Sequence, residues 1–122
     1  MKLVIKGRPI TKKNSQRYVG RGRLLQSKAY VEYEQAALWQ LKAQRRGQGL
    51  GTANIHLKVS YFMPNRRGWP DLVGLMQATA DILEKAGIYE NDRQVTCWDG
   101  TKIAGIDKDN PRAVIEVVTL DE

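Results

Sequence analysis

The apolar positions change their period several times along the chain, and each change predicts an element. Leu3, Val4 and Ile5 between Lys2 and Lys6 make a short strand, which stops at Gly7-Arg8-Pro9 because proline lacks a ladder donor and disfavours helix in the residue before it. Thr11 to Arg23 is poor in apolar residues and predicts a flexible loop. Ser27 is placed to cap a helix running to about Arg46, with Tyr30, Tyr33, Ala37, Leu38 and Leu41 at helical spacing, Trp39 at the edge of that stripe, and Gly47 and Gly49 behind it. Ile55, Leu57, Val59, Tyr61 and Met63 alternate with His56, Lys58 and Ser60, the pattern of a half-buried strand over Ala53 to Met63. Pro64 to Pro70 is turn-rich, and Asp71 stands where a helix N-cap belongs.

Projecting residues 71–86 at about 100° each puts Leu72, Leu75, Met76, Thr79, Ile82, Leu83 and Ala86 on one arc. Asp71, Gly74, Gln77, Ala78, Asp81 and Lys85 share the opposite arc. Gly87 ends this helix, Ile88 to Asp92 is a loop, and Arg93 to Lys102 has strand character around Val95 and Cys97. A polar turn over Gly105 to Pro111 then precedes a β-branched closing strand over Arg112 to Leu120. The order β, α, β, α, β, β predicts an α+β fold, one domain over residues 1–122 with a mixed sheet and two main helices.

Charge adds a partner to this outline. The net charge is +7, but residues 1–70 carry 15 Lys/Arg against 2 Asp/Glu, while residues 71–122 carry 5 against 11. A basic half is the electrostatic footprint of a polyanion, because each neutralised phosphate releases condensed counterions. Lys12, Lys13, Arg17, Arg21 and Arg23 in the first loop, and Arg66 and Arg67 before Asp71, are the candidate phosphate contacts; the bland alternative is a solvated basic face. Trp69 fits either a core position or a stacking platform for an unpaired base. No apolar run reaches the roughly 20 residues of a membrane span, and the early charges leave no signal-peptide core, so a cytoplasmic protein is expected. One cysteine, Cys97, and one histidine, His56, give neither a disulfide nor a zinc cluster, and both read as packing or surface residues. A metal, if bound, should be a hard cation held by oxygen.

The residues for that role are Asp71 at a helix start, Asp81 on the same polar face and Asp92 just past the helix end. They can converge if the following strand folds back beside the helix, and Mg²⁺ takes such oxygen ligands, completing its octahedron with water and substrate phosphate. Each also has an ordinary role, as N-cap, solvated side chain paired with Lys85 at i+4, and turn residue respectively.

Asp71-Leu72-Val73-Gly74-Leu75-Met76-Gln77, then Asp81, Ala86-Gly87 and Asn91-Asp92-Arg93-Gln94-Val95, resembles the signature of the RusA-type Holliday junction resolvases. The opening Gly7-Arg8-Pro9 with Lys13-Asn14-Ser15 also resembles that family's start, so that the likeness covers most of the chain and adds Asn14 to the candidate DNA contacts. The resemblance implies a RusA-like fold, a homodimer, Mg²⁺ and nicking of four-way or branched DNA in recombination and repair. It makes Asp71 and Asp92 metal-binding catalytic residues, with Asp81 as a replacement ligand. Lys102 falls near a basic position the family often has. The chain departs from the pattern where Val73 stands in place of a second Asp, Gly74 in place of Asn, Gln77 in place of Lys and Asn91 in place of the first acidic residue of a pair. Asp81, Glu90 or Asp99 can restore a third carboxylate, and Lys85 or Lys102 the cation. Three functions follow: a Mg²⁺-dependent junction nuclease, a catalytically impaired junction-binding module of the same fold, or a basic coat protein. The last has no use for carboxylates beside its phosphate-binding surface.

Overall fold

The computed structural model describes residues 1–12, 16–18 and 24–120. β1 (Lys2–Lys6), β4 (Ile55–Met63), β5 (Val95–Cys97), β6 (Lys102–Ile106) and β7 (Arg112–Thr119) make one mixed sheet; β2 (Gln16–Tyr18) and β3 (Leu24–Gln26) pair separately. β7 runs antiparallel between β1 and β4, and β4 is parallel to both β5 and β6. Helix α1 (Lys28–Arg45) precedes β4, and α2 (Leu72–Lys85) crosses from β4 to β5, as a parallel pair requires. The fold is α+β, as the periodicity predicts.

Alternation carries the sheet. Ile55, Leu57, Val59, Tyr61 and Met63 are all buried, and the first four meet Leu3 and Ile5 of β1 and Ala113, Ile115 and Val117 of β7 in one core. Against this face pack Ala37 and Leu41 of α1 and Leu75, Ile82 and Leu83 of α2. Ser27 Oγ accepts the Tyr30 N–H at 3.2 Å and fixes the start of α1; Arg46 adopts a left-handed conformation at its end, with Gly47 following at φ 78°. Edge strand β1 is closed by side chains of α1. Gln44 accepts from Val4 N–H at 2.8 Å and donates to Val4 O at 2.7 Å, and Gln40 does the same for Lys6 at 2.7 and 3.3 Å. Two amides one helical turn apart thus stand in for a neighbouring strand.

Three expectations change. The backbone of the basic segment pairs as a hairpin, with Gln16 opposite Gln26 and Tyr18 opposite Leu24. The run Arg93 to Lys102 is not one strand: Asp92–Gln94 is a 3₁₀ turn closed by a capping box between Asn91 and Gln94, and before β6 starts at Lys102 only Val95–Cys97 is strand. The supposed polar turn begins two residues late, because β6 continues to Ile106 beside Met63. Register shifts at Ile55/His56 and at Tyr61/Phe62 let β4 accept both short strands along one edge.

Candidate functional site

The site forms where the N-terminal segment lies along α2. Arg8 donates to Arg67 O at 3.0 Å, Thr11 is buried beside Gly74, and Lys12 reaches Asp81 with Nζ 2.6 Å from Oδ2. This covering segment explains why Gly74 and Ala78 are buried although the helical projection puts them on the polar arc. Gly74 has a local reason as well. A Cβ there would overlap Asp71 Oδ1 and come within 3.0 Å of Thr11 Cγ2, so the glycine lets the Asp71 carboxylate fold back along the helix. Asp71 is the N-cap residue by backbone conformation, but its side chain makes no capping hydrogen bond.

A cavity of about 400 Å³ opens along this groove, lined by Thr11, Lys12, Gly74, Gln77, Ala78, Asp81 and Asp92. Asp81 and Asp92 therefore share one concavity, and the Asp71 carboxylate lies against Gly74 in its wall. On the far side of Gln77 and Asp92 a smaller cavity of about 280 Å³ has an apolar lining that includes Val73, Met76, Val95 and Trp98. Val73 is 60% exposed there.

Asp81 sits in a chain of alternating charge. Lys12 Nζ lies 2.6 Å and Lys85 Nζ 3.3 Å from its Oδ2, and Lys85 also binds Glu34 at 3.1 Å. Partial burial raises the Asp81 pKa, but the two ammonium groups outweigh it and hold the carboxyl below its ordinary value. For Lys85 burial lowers the pKa, and Glu34 with Asp81 more than reverse this. The ion pair with Lys85 at i+4 is the ordinary role foreseen for Asp81; the pairing with Lys12, 69 residues away, had no signal in the sequence.

The loop carrying Asp92 is held by a residue of the quoted signature to which the sequence assigned no role of its own. Gln94 is buried; its Oε1 accepts from Glu90 and Asn91 N–H at 2.9 and 2.8 Å, and its Nε2 donates to Gly51 O and Ala53 O, both at 2.8 Å. Glu84 Oε1 accepts from Asp92 N–H at 2.7 Å and joins the turn to α2. The spacing Asn91-x-x-Gln94 was the available signal, since a capping box needs those residue types three apart.

The other candidates are scattered. Arg66 and Arg67 are exposed on the link before α2; Trp69, 40% exposed, donates to Asn65 O and shares a cavity of about 540 Å³ with Arg66, Gly105 and Ile106. Lys102 is exposed on β6 opposite Ser60, and neither it, Glu90 nor Asp99 lines the cavity that holds Asp92. Lys13, Asn14, Arg21 and Arg23 lie outside the described residues, as does the side chain of Arg17. Among the described residues no helix is long and apolar enough to cross a membrane, and no three His, Cys, Asp or Glu side chains group closely enough to cage a metal ion.

Residues 5–118 match the family model of the endodeoxyribonuclease RusA. The chain is also similar to the crossover junction endodeoxyribonuclease RusA of Aquifex aeolicus (strain VF5), 24% identical over 109 residues that cover 89% of this chain and 83% of that protein.

Proposed function

The chain belongs to the RusA endodeoxyribonuclease family, and on that premise we propose that it nicks phosphodiesters at four-way or otherwise branched DNA, as a homodimer with Mg²⁺, in recombination and repair. The observation that carries this is a cavity lined by Asp92, Asp81 and a lysine, with the Asp71 side chain packed against Gly74 of its wall, on the side where the basic half of the chain meets α2. Carboxylates beside a phosphate-binding surface repel DNA unless a cation stands between them.

Mg²⁺ is commonly held by one or two carboxylates, with substrate phosphate and water completing its shell. The residues present fit that arrangement and not a three-carboxylate cage: Asp71 is exposed and engaged in no capping bond, Asp92 is exposed, and among the described residues no three carboxylates group together. Asp71 and Asp92 would hold the ion, which supplies charge neutralisation at the scissile phosphate and a more acidic water. Gly74 keeps the Asp71 carboxylate against the cavity wall, and Gln94 with Glu84 fixes the backbone that presents Asp92. Arg66 and Arg67 bind the flanking phosphates, and Trp69 offers its ring to an unpaired base.

A second function, junction binding without turnover, is favoured by Val73 and Gln77, because a valine cannot ligate a metal and a neutral amide adds no charge to a developing phosphorane. A labelled synthetic four-way junction incubated with Mg²⁺, Mn²⁺ or EDTA separates the two. Nicked duplex products with either metal and none in EDTA are expected. Tight binding with no product under any condition would leave the binding module standing in the nuclease's place.

A further inference from the structure

We propose that Lys12 is the phosphate-facing cation of the cavity, and that Asp81 acts as its positioning residue and not as a metal ligand. This rests on the site receiving DNA phosphates, as proposed above. Lys12 is the one Lys or Arg among the described residues that line the cavity with Asp92 and Gln77. Its Nζ is 2.6 Å from Asp81 Oδ2 and 6.0 Å from the centre of the Tyr30 ring, so one helix supplies a carboxylate and the other an aromatic face to the same ammonium. Lysine is a flexible, strongly hydrated point charge that loses rotamer freedom when it is pinned. Here the fold itself restricts it, and an arriving phosphate meets a cation already in place. The Lys12 side chain remains 35% exposed, enough for a phosphate oxygen to approach the cation at the cavity.

Asp81 is poorly disposed to bind a dication. Its Oδ2 already has two ammonium neighbours, and a metal ion entering there would be repelled by both at short range. Lys85 is shared with Glu34, which leaves Lys12 as the ammonium that Asp81 directs at the cavity.

The test is binding of a fluorescent four-way junction in EDTA by the wild type, Lys12→Gln, Lys12→Arg, Asp81→Asn and the Lys12→Gln/Asp81→Asn double variant. Lys12→Gln should weaken binding about three- to tenfold, as for one lost charge-assisted contact, and should lower the salt slope by about one ion. Lys12→Arg should keep most of the affinity. Asp81→Asn should also weaken binding although it removes a negative charge, and should add nothing in the Lys12→Gln background. Tighter binding by Asp81→Asn would show a carboxylate that only repels DNA, and additive weakening in the double variant would show an effect on the fold; either result overturns the proposal. In nicking assays the Mg²⁺ concentration giving half-maximal rate should be unchanged by Asp81→Asn, and a rise of tenfold or more would make Asp81 a metal ligand. The binding arm needs no metal, so failure of the wild type to nick would sink the nuclease function while leaving the Lys12–Asp81 result intact.

Discussion

Single residues at the site are constrained by what lies against them. Gly74 is the clearest case, since alanine is the better helix former by about 1 kcal/mol, yet its methyl group would displace the Asp71 carboxylate and press on buried Thr11. The two effects oppose each other in stability, because an exposed carboxylate can move while Thr11 must give a few tenths of an ångström. Gly74→Ala should therefore change the unfolding free energy by no more than about 1 kcal/mol, while Mg²⁺-dependent nicking falls at least tenfold. Denaturant unfolding beside single-turnover rates checks this; full activity in a folded Gly74→Ala protein would show that the seat of Asp71 does not matter. The proposal of Asp71 and Asp92 as metal ligands came from the family pattern in the sequence. The Lys12–Asp81 pair was not legible there, because an ion pair across 69 residues depends on the N-terminal segment lying along α2, and neither residue's local context encodes that.

Elements were legible where one face is buried against one neighbour. β4 alternates over its whole length and α1 has a cap and a stripe, so their patterns predicted both closely, except that Trp39, expected at the edge of the stripe, is 80% exposed. α2 is covered on two sides, by the sheet and by the N-terminal segment, and a single apolar arc underestimates its buried face. The strand expected from Arg93 failed for a different reason: side-chain hydrogen bonds from Asn91 and Gln94 compete successfully with a strand until Val95. The same bonds make the Asp92 loop sensitive to one residue. Gln94→Ala removes the side-chain partner of Asn91 N–H and Ala53 O, leaves Glu90 N–H and Gly51 O with only their 3.4 Å bond to each other, and should cost about 2 to 4 kcal/mol. Gln94→Glu keeps the acceptor but replaces the NH2 group and its two donor hydrogens with one oxygen facing Gly51 O and Ala53 O. It should be about as damaging as alanine, and thermal or denaturant unfolding of both variants decides it; a wild-type midpoint for Gln94→Glu would mean the donor bonds contribute little.

At the scale of the whole molecule, charge and symmetry make the remaining demands. The basic half supplies the N-terminal segment, α1 and the link before α2, and the acidic half supplies α2, the Asp92 loop and the strands that follow. The cavity lies where they meet, with Lys12 from one and Asp81 and Asp92 from the other. A four-way junction offers two-fold related strands, and a two-fold dimer presents one such cavity to each. Light scattering should accordingly give about twice the 13.8 kDa chain mass at micromolar concentration, and a monomer both with and without junction DNA would remove the paired-site geometry.

The proposed pairing of a metal with Asp71 and Asp92 is tested most directly by following two readouts on the same variants: junction nicking in Mg²⁺ and junction affinity in EDTA. Asp71→Asn and Asp92→Asn should each abolish nicking, because an amide is a far weaker ligand for a hard cation than a carboxylate. Affinity without metal should be kept or rise, because the variants lose a negative charge that faces phosphates. Loss of both readouts together would indicate damage to the fold, and nicking by Asp71→Asn and Asp92→Asn at the wild-type rate would contradict the assignment of the metal to these two carboxylates.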